Sequence, residues 1–145
     1  MEENLLDPIP QKKLYNDMAV RVGTFIGGPL VAGYLAAENF KALEQPDKIK
    51  TSWLYAIIVT ILIFGIVFFV PGAEKIPSYI IPIIYTLLAS YFVKKYQGKE
   101  IYIHIHNGGE MYSAWRAVWI GLVGLVVMIG IVLILVLLTD KTLLR

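Results

Sequence analysis

The chain contains no cysteine, which excludes disulfides and thiolate metal sites. It is also short of charge. Asp, Glu, Lys and Arg make up 17% of the residues, against about 25% in soluble domains. No sign of charge dominates: the net charge is +2, and the 13 Lys and Arg form no basic stripe, so nucleic acid is not an expected partner. There is no nucleophile beside a base, no phosphate-binding loop and no supported pair of acids. We therefore expect no enzyme and no cofactor. Residues 1–17 lack a basic stretch leading into a short apolar core, so the first crossing is expected to act as its own insertion signal.

What the chain has instead is long apolar runs. Hydrophobic residues reach 57% and the mean hydropathy is +0.66. Residues 118–138, VWIGLVGLVVMIGIVLILVLL, are 21 in a row without a charge. As a helix at about 1.5 Å per residue they would reach about 31 Å, close to the hydrocarbon thickness of a bilayer. The solvent for this stretch is lipid. The expected architecture is an all-α membrane protein with an N-terminal arm over 1–17 and one helical domain over 18–145. Its four transmembrane helices fall at about 18–38, 53–70, 77–93 and 115–138. The alternative is three spans plus a re-entrant first segment.

The first segment is the least ordinary. Residues 22–37 are 16 without a charge, about 24 Å of helix, which is short for a span. Arg21 and Glu38 mark its two ends. Gly23, Gly27, Gly28, Ala32 and Ala36 form a small-residue stripe, the kind of surface on which membrane helices approach closely. Pro29 cannot donate to the carbonyl of Phe25, and it follows Gly27-Gly28. A helix break is expected there, read first as a kink in a packed span and second as a broken helix lining a site. Ala117, Gly121 and Gly124 make a matching patch on the last span, and these two faces are expected to touch.

The connections carry their own signals. Residues 1–17 include Pro8 and Pro10 and read as an extended, frayed arm, with Leu5, Leu6 and Ile9 as candidates to rest on the membrane surface. The polar stretch 39–52 begins as a continuation of the first helix, and Gln45-Pro46-Asp47 is a helix stop. The turn at 71–75 makes the third span an antiparallel neighbour of the second. Pro82 is harmless if its helix begins near Ser78. The connection 94–114 suggests a short interfacial helix ended by Asn107-Gly108-Gly109, with Ser113 capping the last span. His104-x-His106 has metal-like spacing, but the rings point apart on a helix and Glu110 is the nearest further ligand, so no metal site is expected.

Charge asymmetry separates the topologies. With four spans, seven cations face six across the membrane, which orients nothing. With a re-entrant first segment the N-terminus changes sides and the ratio becomes ten to three. Four spans are still expected, because re-entrant backbone needs shielding by surrounding protein. In both cases the side holding 39–52 and 94–114 is read as cytoplasmic.

The run 23–43, GTFIGGPLVAGYLAAENFKAL, resembles the opening of a family of small multi-span bacterial inner-membrane proteins. Its pattern is Gly-Gly-Pro-Leu, then a glycine, then an Asn-aromatic-basic exit. His-Asn-Gly-Gly at 106–109 is similar to a second feature of that family. The resemblance implies a multi-pass protein of the bacterial inner membrane and carries over no activity or catalytic residue. The expected function is a non-enzymatic accessory or scaffold subunit, with the lipid bilayer and a second copy or a larger membrane complex as partners. The competing expectation is an oligomeric small transporter or channel.

Overall fold

The computed structural model describes residues 12–140. Leu5, Leu6, Ile9, Lys141 and Arg145 lie outside the described residues. Among those described, the chain forms five α-helices and no strand: α1 (Asp17–Gly27), α2 (Pro29–Ala42), α3 (Pro46–Phe69), α4 (Ile80–His106) and α5 (Ala114–Thr139). Two of them, α3 and α5, are long and apolar enough to cross a membrane.

The first segment departs most from expectation. α1 stops at Gly27, and Gly28 takes φ +84° and ψ −175°, a conformation open essentially to glycine alone. Pro29 then opens α2 at its first position, where the missing N–H leaves nothing unsatisfied. The result is a reversal of direction. At the far ends, the Tyr15 N–H donates to Asn39 Oδ1 at 2.7 Å, and Asn39 Nδ2 donates to the Tyr15 carbonyl at 2.9 Å. A segment whose two ends meet does not cross a bilayer once. The single kinked span expected over 18–38 is replaced by a helical hairpin. One helix of 11 residues sets its depth at about 16 Å, roughly half the hydrocarbon thickness.

This hairpin is the centre of the molecule. α5 packs mainly on α1, α3 on α2, and α4 across both. The three outer helices scarcely touch one another; the Tyr55 and Phe92 rings, 5.6 Å apart, bring α3 to α4. Three long helices are thus grouped around two short ones. The buried cluster accordingly includes Ala19, Val20, Val31, Leu35 and Ala36 of the hairpin, with Val93 of α4 and Ala117 of α5.

The arm is ordered where it is described. Leu14 and Tyr15 are buried, Leu14 N–H donates to the Glu110 carbonyl at 3.4 Å, and Tyr112 N–H donates to the Leu14 carbonyl at 2.8 Å. Residues 12–16 therefore do not fray, because the 110–112 loop offers their backbone a partner. Pro46 starts α3 and does not merely stop α2, so most of 39–52 is helical. α2 ends with Glu44 at φ +58°, the Gln45 N–H returning to the Phe40 carbonyl at 2.9 Å. Pro82 falls in the first turn of α4 and bends nothing.

The separate interfacial helix expected within 94–114 is absent; α4 runs unbroken from Ile80 to His106. Its 27 residues reach about 40 Å, several turns more than a bilayer needs. It ends where expected. Asn107 caps it, Gly108 is left-handed at φ +73°, and the Gly109 N–H reaches the His104 carbonyl at 2.8 Å, the hydrogen bond of a Schellman stop. Ser113 caps α5, its Oγ accepting from the Trp115 N–H at 3.3 Å.

Candidate functional site

Three features converge on the hairpin: a glycine seam, a break at the tip and a polar clamp at the base. The seam joins α1 to α5. A Cβ added at Gly27 would lie 2.5 Å from the Gly121 carbonyl oxygen, and one at Gly121 would lie 2.9 Å from the Gly23 oxygen. A Cβ at Gly23 would come within 3.1 Å of the Ala117 oxygen, and one at Gly124 would strike Val31. Gly23, Gly27, Ala117, Gly121 and Gly124 are thus brought together. The absence of side chains there lets the backbones approach to a distance at which dispersion and weak Cα–H contacts hold the helices.

The rest of the expected stripe goes elsewhere. The i, i+4 spacing that continues the stripe from Gly28 to Ala32 and Ala36 on a straight helix does not carry it through the reversal at Gly28. Ala32 and Ala36 belong to α2 and face the α3–α4 side, beside Ser52, Ala56 and Ala89. Gly33, which stands off that stripe, makes the close approach to α3: a Cβ there would collide with Ala56. Gly28 itself meets only Met128, at 3.6 Å, and serves by its φ angle.

At the tip, Pro29 leaves the Phe25 carbonyl without its helical donor. The Tyr85 hydroxyl of α4 donates to that oxygen at 3.3 Å. One turn below, Thr24 is fully buried and its Oγ1 has no hydrogen-bond partner among the described residues.

The clamp at the base was not legible beforehand. Asn39 and Gln97 are both fully buried. Asn39 Nδ2 also donates to Gln97 Oε1 at 2.9 Å, and Gln97 Nε2 donates to the Ala36 carbonyl at 2.8 Å. Two amides thereby tie the arm, α2 and α4 together. Beside them Ser90 donates to Asp17 Oδ1 at 2.6 Å, while Arg21 Nε donates to Oδ2 at 2.8 Å and Lys94 stands 3.7 Å from the same oxygen. Arg116 Nε donates to the Tyr15 hydroxyl at 2.8 Å, and its guanidinium lies 4.4 Å from the Tyr112 ring centre. The sequence offered one signal: an asparagine just past an apolar run, separated from it by Glu38. Gln97, set among lysines, offered none.

The histidines go separate ways. His104 Nε2 lies 2.9 Å from the Glu110 carbonyl, and the His106 ring lies 4.5 Å from that of Tyr102. Among the described residues no three His, Cys, Asp or Glu side chains are grouped as metal ligands. Outside the helices, the hydrogen bond and charge of Glu110 hold the Lys13 ammonium above its usual range, and Lys12 does the reverse for Glu44, holding its carboxyl low. No known family, curated protein or solved structure matches this chain.

Proposed function

We propose that the chain is a non-enzymatic, multi-pass protein of a bacterial inner membrane, acting as an accessory or scaffold subunit. In this reading α3, α4 and α5 are three crossings around a re-entrant hairpin. The observation that carries it is the outer surface. Along α3 and α5 most large apolar side chains are exposed, including Ile61, Leu62, Val123, Val126 and Leu133, and none is buried, while the hairpin inside is already covered. Those faces are free to take lipid and the helices of a partner, in keeping with the small-residue packing already used within the chain. The ten-to-three distribution of cations puts the hairpin base, the 43–45 turn and the 107–113 loop in the cytoplasm. The chain lacks cysteine, so single cysteines placed at Glu44 and Gly72 report sidedness cleanly. Extraction from native membranes in mild detergent is expected to bring down a stable partner or a second copy. A lone monomer, recovered repeatedly without companions, would overturn the subunit reading.

A second reading is a small oligomeric transporter or channel. The break at Gly28-Pro29 at mid-bilayer depth and the unpartnered Thr24 hydroxyl favour it. Liposome flux that disappears in Pro29→Ala would support it, and silence across a broad panel of solutes would sink it.

A further inference from the structure

Between α2, α3 and α4 the fold leaves a groove of about 280 Å³ that opens sideways, toward the lipid in the membrane reading. Pro29 and Tyr85 lie at its deep end, and Ala32 and Ala36 form its floor. Tyr96 lies at its shallow end. From Tyr85 to Tyr96 along α4 is about 16 Å, the depth of one leaflet. The walls are almost wholly apolar, and they exist because α3 rests mainly on α2 and reaches α4 through the Tyr55–Phe92 ring contact.

Two lysines flank this groove. Lys95 holds its Nζ 5.6 Å from the Tyr91 ring centre and 5.5 Å from that of Tyr96, both groove residues. Lys48 lies one helical turn before the groove residue Ser52, with Nζ 5.6 Å from the Phe40 ring. Phe40 in turn meets Phe92 edge-on at 6.4 Å, and Phe92 lines the groove. Among the described residues, neither lysine is paired with a carboxylate. Each is held at the aromatic rim by a ring face, with its positive charge uncompensated.

We propose that this groove binds one anionic phospholipid, with an acyl chain along Ala32 and Ala36 and the phosphate between Lys48 and Lys95. A leaflet-deep apolar slot with two unpaired cations at headgroup level is complementary to that ligand in length, polarity and charge. A partner helix would satisfy the walls and leave the two lysines without a counter-charge.

The test is native mass spectrometry of the full chain, delipidated in detergent and mixed with phosphatidylglycerol or phosphatidylcholine of identical acyl chains. One phosphatidylglycerol is expected per chain, bound about tenfold tighter than phosphatidylcholine. The double variant Lys48→Gln/Lys95→Gln is expected to bring that ratio close to one. Lys75→Gln, at the opposite end of α3, is expected to leave it unchanged. Equal binding of the two lipids by the natural chain, a ratio unaffected by the double variant, or a lipid-free dimer would each overturn the proposal. The proposal rests on the membrane reading but fails separately from it: a chain that stays monodisperse in buffer without detergent removes the membrane, whereas loss of headgroup preference removes only this site.

Discussion

The hairpin and α5 make an instructive pair. Among the described helices α5 is the most apolar, yet Ala117 and Gly121 are its only buried residues. The hairpin carries Asp17, Arg21, Asn39 and a series of glycines and alanines at its contacts, and it forms the core. In water the order would be reversed, since burial there follows hydrophobicity. In lipid, leucine gains nothing by leaving the hydrocarbon for a protein interior that is equally apolar. What decides burial is close packing of small residues and satisfaction of polar groups. The hairpin has both, and α5 supplies only the patch that fits it.

The comparison can be broken most severely at the seam. Gly27→Leu drives a side chain into the Gly121 backbone, and the expected loss is about 3 kcal/mol or more, read as thermal unfolding in detergent. Gly130→Leu is the control on the other face of α5, where nothing lies within 4 Å, and it should leave the midpoint in place. Equal effects from the two would mean that glycine on α5 matters for reasons other than contact with α1.

The clamp comes next. Asn39→Ala removes three hydrogen bonds and strands Gln97, at an expected cost of about 2–3 kcal/mol. Thr60→Ala deletes a buried hydroxyl that bonds only its own helix, to the Ala56 carbonyl at 2.8 Å, and is expected to cost well under half as much. The contrast sharpens the claim that polar groups bind the core only when they join different elements.

At the tip, Gly28→Ala retains the packing but meets a forbidden backbone conformation, with an expected penalty of about 1–3 kcal/mol. A single-cysteine accessibility map of the variant should still place both hairpin ends on one side, because the clamp is intact.

The smallest effect belongs to the exposed clasp. Lys12 holds the Glu44 carboxyl low, so this pair stabilises the fold above the usual carboxylate range and loses its contribution as pH falls through the depressed value. Glu110 raises Lys13, so that pair contributes below the usual lysine range and is lost as pH rises through the elevated value. Both pairs are solvent-exposed. Lys12→Gln should lower the unfolding midpoint by about a degree at pH 7 and by progressively less as the pH falls toward 3 and below. A larger shift at pH 3 would contradict the assignment of the effect to Glu44.

Much of the helical pattern was readable in the residues. The apolar run at 118–138, the stop at Asn107-Gly108-Gly109, the Ser113 cap and the pairing of Gly27 with Gly121 all follow from local chemistry and small-residue spacing. The same evidence put a single crossing at 18–38, because a Gly-Gly-Pro break in an apolar segment fits a kink as well as a reversal. The charge ratio of ten to three pointed the other way and was outweighed by the need for shielding.

The amino-acid order by itself determined that this is a helical chain suited to lipid, where its helices stop, and which faces are small enough to touch. Only the tertiary structure decided that the first segment turns back, because the direction of the chain after Gly28 is fixed by bonds between residues far apart in sequence. Tyr15 and Asn39 close the base, Gln97 locks it from α4, and Tyr85 takes the carbonyl that Pro29 cannot serve. None of these partners is recognisable until the helices are assembled, since a hydrogen bond across elements leaves no periodicity in the sequence.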